Sequence, residues 1–129
     1  MNVPGRTILA TAGLLIALAT LLGALGAHML QHRLEPDRLA TFEVAVRYQF
    51  FHALGLLAIG TLMTSRAVPR LTASAVMVVA GIVLFSGSLY LLAFGAPRVF
   101  GVVTPFGGVL LIGGWIAFAV SILRGRGSS

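Results

Sequence analysis

The chain of 129 residues is 58% hydrophobic and only 9% charged, with nine basic residues against three acidic ones, three histidines and no cysteine. A soluble domain of this length carries about 25% charged residues to solvate its surface, so water is not the main solvent of this chain. The missing cysteines exclude disulfides, CxxC zinc sites and cysteine-ligated iron–sulfur clusters, and three carboxylates leave little for hydrolytic acid/base work.

The basic residues are all arginines, at 6, 33, 38, 47, 66, 70, 98, 124 and 126. Between them lie four uncharged runs, Thr7–His32, Tyr48–Ser65, Leu71–Pro97 and Val99–Leu123, of 26, 18, 27 and 25 residues with His counted neutral. A helix needs about 20 residues to cross the hydrocarbon core, so four spans are expected, over approximately residues 7–28, 44–63, 72–93 and 105–123. Lipid offers nothing to an unpaired backbone N–H or C=O, and no period-2 alternation supports a closed barrel, so each run is read as a helix. The expected fold is all-α, one membrane domain of residues 1–129 in a compact four-helix bundle.

In the first run, Arg6 and Ala24-Leu25-Gly26 could imitate a signal peptide and its cleavage site. The apolar stretch is longer than the 7–15 residues of an h-region, so it is read as a retained span. Ala19, Gly23 and Ala27 recur every four residues along it and form a candidate packing face, because small residues let backbones approach closely in lipid.

The second helix is expected to begin near Pro36, which suits a first turn, with Asp37 favouring the positive end of the dipole. From Pro36 to Met63 it would be about 42 Å long, so its first turns must reach into the outer interface. Glu43 and Arg47, four residues apart, are read there as an interfacial ion pair. Val68-Pro69 breaks the next loop, Gly95, Pro97, Gly101 and Pro105 make the third irregular, and Thr104-Pro105 reads as N-cap and N1 of the fourth helix. Gly113, Ala117 and Ser121 repeat the small-residue spacing in that helix.

With the N-terminus in the cytoplasm, the inner segments hold Arg6, Arg66, Arg70, Arg124 and Arg126 and no acid, while Arg33, Arg38, Arg47 and Arg98 lie outside. The expected topology is therefore N-in, C-in. Depths measured from each run's midpoint put His52 about 7 Å, Gln49 about 11 Å, Ser88 about 6 Å, Tyr90 about 9 Å and His28 about 13 Å toward the outer side. Tyr48, Gln49 and His52 also share one face of their helix. A polar cluster of His28, Tyr48, Gln49, His52, Ser86, Ser88 and Tyr90 in the outer half is thus the candidate site.

The strings GALGAHML (23–30), TFEVAVRYQFFHALGLL (41–57), LFSGSLYLLA (84–93) and FGVVTPFGGVLLIGGW (100–115) resemble the small YgdD-like bacterial inner-membrane proteins, related to the transmembrane protein 256 family. That resemblance covers all four spans and implies a four-helix protein of the bacterial cytoplasmic membrane, without implying a biochemical activity. His32 lies outside these strings.

The expected function is that of a non-enzymatic interaction or accessory protein with no cofactor and no metal. Its partners would be membrane lipids, a membrane protein or further copies of itself. The alternative is a small transporter or channel, or a quinone- or haem-binding protein, in which His28 and His52 ligate or shuttle protons with Tyr48 and Tyr90. Hydrogen-bonded His, Gln, Ser and Tyr more often join membrane helices, and no deep carboxylate is present to couple an ion. Nucleic acid is not an expected partner, because the +6 charge is spread over both membrane faces. No P-loop or post-strand GxGxxG occurs either.

Overall fold

The computed structural model describes residues 3–65 and 69–125, with side chains for 3–65 and 71–125. Arg66, Val68, Arg126 and the Arg70 side chain, which entered the reading of the loops and charges, lie outside the described residues. Four helices follow one another: α1 (Val3–His28), α2 (Pro36–Ser65), α3 (Pro69–Ala93) and α4 (Val103–Gly125). Short 3₁₀ turns at Leu30–His32 and Arg98–Val102 join α1 to α2 and α3 to α4. All four are long and apolar enough to cross a membrane, and no strand occurs among the described residues.

The punctuation explains the ends. Pro36 is the first residue of α2, Asp37 lies in its first turn, and the Leu39 N–H donates to the Glu35 carbonyl at 2.9 Å. At the end of α3, Gly95 takes φ 95°, and the bonds Gly95 N–H to Leu92 O (3.1 Å) and Ala96 N–H to Leu91 O (2.9 Å) close a Schellman turn. A Cβ at Gly95 would also meet Arg38 Nη1 at 3.2 Å, so the start of α2 reaches across the end of α3.

Thr104 is not the N-cap of α4. The 3₁₀ turn runs directly into the helix, the Val103 N–H donating to Phe100 O, so the helix starts at Val103, two residues before Pro105, and the preceding Val102 has no polar side chain to cap it. Thr104 is left inside the first turn, where its hydroxyl meets Ser88 instead. The helices also extend beyond the expected spans, α3 to Pro69 and α4 to Gly125, because a helix need not stop at the hydrocarbon boundary.

Successive helices pack on one another, α1 on α2, α2 on α3 and α3 on α4, so α2 and α3 form the inner pair. Ile8, Ala12, Leu56, Ile59, Met63, Leu71, Ala75, Val78, Ile82 and Leu111 make the apolar core. Leu14, Leu21, Phe51, Val83, Phe106, Val109, Ile112 and Ile116 point outward and are exposed, as expected of a surface solvated by lipid.

Close packing follows a seven-residue repeat rather than the four-residue one. In α1 the buried small residues are Gly5, Ala12, Ala19 and Gly26, while Gly23 is half-buried and Ala27 exposed. A Cβ at Gly26 would lie 2.9 Å from the Phe42 ring, whereas at Gly23 it would lie at an ordinary 3.5 Å from Val46. In α4, Gly107, Gly114 and Ser121 are buried, and Gly113 and Ala117 are half-buried beside that line, with Gly113 still packed closely enough that a Cβ there would lie 2.9 Å from Met77 Cε. A Cβ on Gly107 would meet Phe85 Cα at 2.8 Å and Leu84 C at 2.9 Å, both backbone atoms. The reason is geometric: a stripe repeating every seven residues stays on a neighbour crossed at a shallow angle, whereas a stripe repeating every four drifts off it.

Candidate functional site

Gln49 lies at the centre of the polar residues. It sits on the inner face of α2, 2% exposed, and its amide is too polar to be buried there without partners on both sides. Its Nε2 donates to the Leu15 carbonyl of α1 at 2.8 Å, and its Oε1 accepts from the Tyr90 hydroxyl of α3 at 2.6 Å. Phe42, fully buried one turn pair along α2, packs its ring 5.4 Å from Tyr90 and 5.8 Å from Phe94, holding the phenol in place.

Serines extend the cross-linking. Ser86 donates to the Ala45 carbonyl of α2 at 2.7 Å, and Ser88 meets Thr104 of α4 at 2.6 Å. Ser74 donates to the Gly114 carbonyl of α4 at 2.7 Å, a reach that the missing side chain of Gly114 permits. Each of these serines is buried, and among the described residues no buried side-chain nitrogen or oxygen lacks a hydrogen-bond partner.

A second group forms on another side of α2. Trp115 Nε1 of α4 donates to His52 Nδ1 at 2.9 Å, and the indole fills the space above Gly55, where a Cβ would lie 2.6 Å from Cζ2. Tyr48, one turn from His52, stacks on the imidazole at 5.8 Å and tilts against Phe85 at 4.8 Å. Tyr48 is 41% exposed.

The structure therefore divides the seven expected cluster residues. Gln49, Tyr90, Ser86 and Ser88 lie within the helix interfaces, while Tyr48 and His52 form a separate aromatic group with Trp115. Tyr48 and His52 do not act on one face with Gln49, because α2 is an inner helix and an arc of its surface meets different neighbours. His28 joins neither group. It is exposed at the end of α1, and since Gly26 is level with Phe42, His52 lies about 15 Å further along α2. The two histidines thus do not form a ligand pair, and among the described residues no three His, Cys, Asp or Glu side chains converge.

Glu43 and Arg47 are both exposed and do not close an ion pair among the described residues. They line a groove of about 240 Å³ with Gly23, Gly26, Ala27, Phe42 and Val46, where α1 offers no side chain beyond a methyl. In water-facing or headgroup surroundings an i,i+4 pair gains little over separate solvation, which leaves both side chains free to extend.

Trp115, Thr104, Ser74 and the Leu15 carbonyl were not anticipated. Their signal in the sequence is weak: Thr104 resembles a cap, a carbonyl has no sequence mark, and with Arg47 as the edge of the second span Trp115 falls on the other side of the midplane from His52. Arg47 is eleven residues inside α2, about 16 Å from its start, so the midpoint of α2 lies closer to its N-terminal end than the arginine spacing implies.

The comparisons with known proteins agree with this architecture. The chain is 39% identical over 117 residues to the UPF0382 membrane protein SSP2132 of Staphylococcus saprophyticus, covering 91% of this chain and 95% of that protein. It is 40% identical over 106 residues to a UPF0382 membrane protein of Haemophilus influenzae, covering 81% and 84%. It is 38% identical over 103 residues to the UPF0382 inner membrane protein YgdD of Escherichia coli, covering 80% and 79%. No solved structure shows a significant match. Residues 22–108, from the last turns of α1 into the first turns of α4, match the model of a family described as protein of unknown function DUF423. With four apolar helices and relatives of this kind, the chain belongs to the DUF423 family and is a multi-pass protein of the bacterial cytoplasmic membrane.

Proposed function

We propose that the protein is a non-enzymatic accessory unit of the membrane, a cross-linked helix bundle that acts by association with lipids, with a membrane protein or with its own copies. The observation that carries this reading is the use of the interior polar groups. Gln49, Tyr90, Ser74, Ser86 and Ser88 are each engaged by a neighbouring helix, so they hold the bundle together and do not line an open path. Both termini are proposed to face the cytoplasm, supported by the acid-free arginines of the terminal and α2–α3 segments.

Three features speak against a transporter or haem carrier. The spans hold no deep carboxylate, the histidines are separated along the bundle, and Ser74 and Ser86 bond to backbone carbonyls of neighbouring helices. Purification in a mild detergent, followed by native mass spectrometry and an absorption spectrum, tests the proposal. The expected result is a protein that retains lipid together with a second copy or another membrane protein, and no Soret band. A monomer with stoichiometric haem, or proton flux in proteoliposomes that tracks protein content, would overturn it.

A further inference from the structure

His52 and Tyr48 each keep a polar atom that no neighbouring helix engages. The indole N–H of Trp115 can only donate, so the His52 nitrogen facing it must be the unprotonated one, and in the neutral ring the hydrogen is on Nε2. Nε2 has no partner among the described residues, and since no buried side-chain nitrogen there is unpaired, it is reached from outside the bundle. The Tyr48 hydroxyl, one turn away on the same stacked pair of rings, likewise has no partner among the described residues, and the Tyr48 side chain is exposed.

The depth of this pair limits what can satisfy it. Trp115 is near the middle of α4, which runs Val103–Gly125, so His52 is level with the centre of the spans. Around the pair the outward surface is apolar, with Phe51 beside Tyr48 on α2 61% exposed and Ile112, one turn from Trp115 on α4, 64% exposed. An N–H donor left without an acceptor in hydrocarbon costs several kcal/mol. Water is scarce at that level, and phospholipid ester carbonyls lie near the edge of the hydrocarbon layer, about 15 Å from its centre.

We propose that His52 and Tyr48 bind the head of a lipid-dissolved quinone, the Nε2–H donating to a quinone carbonyl and the flat ring lying against the Tyr48 phenol. An isoprenoid quinone supplies what the position requires: a carbonyl acceptor, a planar ring for an exposed aromatic face, and a tail that stays in hydrocarbon beside Phe51 and Ile112. The groups facing the pair from other helices are the Phe85 ring of α3 and the Trp115 indole of α4. Neither competes for the Nε2–H, because the ring of Phe85 has no strong acceptor and the indole N–H is only a donor. The proposal concerns binding and invokes no electron transfer.

Trp115 is the single tryptophan of the chain and touches the proposed site, so its fluorescence reports occupancy directly. The full chain in lipid nanodiscs is titrated with decylubiquinone, with free N-acetyltryptophanamide in the same nanodiscs as the collisional reference. Saturable quenching is expected for wild type, weakened at least tenfold in His52→Phe and kept within about threefold in His52→Gln, which retains an N–H donor. Infrared difference spectra with carbonyl-labelled decylubiquinone give a second readout that needs no variant, the carbonyl stretch of the bound quinone moving to lower wavenumber. Quenching that is linear in wild type, a saturable curve unchanged in a folded His52→Phe, or an unshifted carbonyl band would each overturn the proposal.

Discussion

The Tyr90 hydroxyl donates to Gln49 Oε1 at 2.6 Å, and the same amide's Nε2 donates to the Leu15 carbonyl at 2.8 Å, so one side chain joins α1, α2 and α3. In water, burial of apolar surface would drive these helices together. In lipid the tails are as apolar as leucine, and association depends on close packing and on bonds of this kind. The family's architecture in this chain is therefore best tested through contacts that lipid cannot imitate.

The first prediction concerns close packing. Gly107→Ala places a methyl against the backbone of Phe85 and Leu84, which cannot rotate away, and should cost about 1–3 kcal/mol. Gly23→Ala meets only Val46 at 3.5 Å and should stay within about 0.5 kcal/mol of wild type. Gly87→Ala, with nothing within 4 Å, serves as a helical control. Thermal unfolding in detergent, monitored by helical circular dichroism, should rank Gly107→Ala clearly below the other two.

Leu15 supplies a related test. Its side chain packs against the core instead of facing lipid, so Leu15→Ala should lower stability by roughly 1–2 kcal/mol. An outward residue such as Leu14, 74% exposed, should tolerate the same change. Protease resistance of the two variants in the same detergent distinguishes them.

Much of this fold is legible in the sequence because lipid makes composition decisive. The spacing of the arginines marks four spans, and Pro36 marks the start of α2. The packing faces are less legible: Ala19 is buried as its stripe requires and Gly113 lies close against Met77, but Gly26, Gly107 and Gly114 also make close approaches, and composition cannot distinguish Gly26 from Ala27 or Gly114 from Gly113 when small residues stand side by side. Polar residue types pointed to Gln49, Ser86, Ser88 and Tyr90. Their partners include the backbone carbonyls of Leu15 and Ala45, to which no side-chain pattern points. Treating Arg47 as a span boundary concealed Trp115, since an exposed arginine can sit well inside a helix when its long stem carries the charge outward.

Topology is predicted to place both termini in the cytoplasm. A C-terminal alkaline phosphatase fusion should be inactive, and a C-terminal fluorescent protein fusion should mature. Periplasmic phosphatase activity would reverse the orientation while leaving the helix packing unchanged.

At His52, the Trp115 N–H needs an acceptor. His52→Gln can present its amide oxygen, whereas His52→Leu leaves the indole N–H unpaired, so stability should fall in the order wild type, Gln, Leu. The difference between Gln and Leu should be about 0.5–1.7 kcal/mol, the range of interhelical hydrogen bonds in lipid. Trp115 emission provides a parallel readout, shifting when its N–H loses the imidazole.

The most direct test is a double-mutant cycle on Gln49 and Tyr90, with Gln49→Leu, Tyr90→Phe and the pair compared by equilibrium unfolding in detergent or bicelles. If the interior polar groups hold the bundle together, each single change is destabilising and the two are coupled by about 0.5–1.7 kcal/mol, the double variant losing less than the sum. Additive effects with no coupling, or a Gln49→Leu variant as stable as wild type, would contradict the account, because a polar group that an apolar one replaces without loss was not joining the helices.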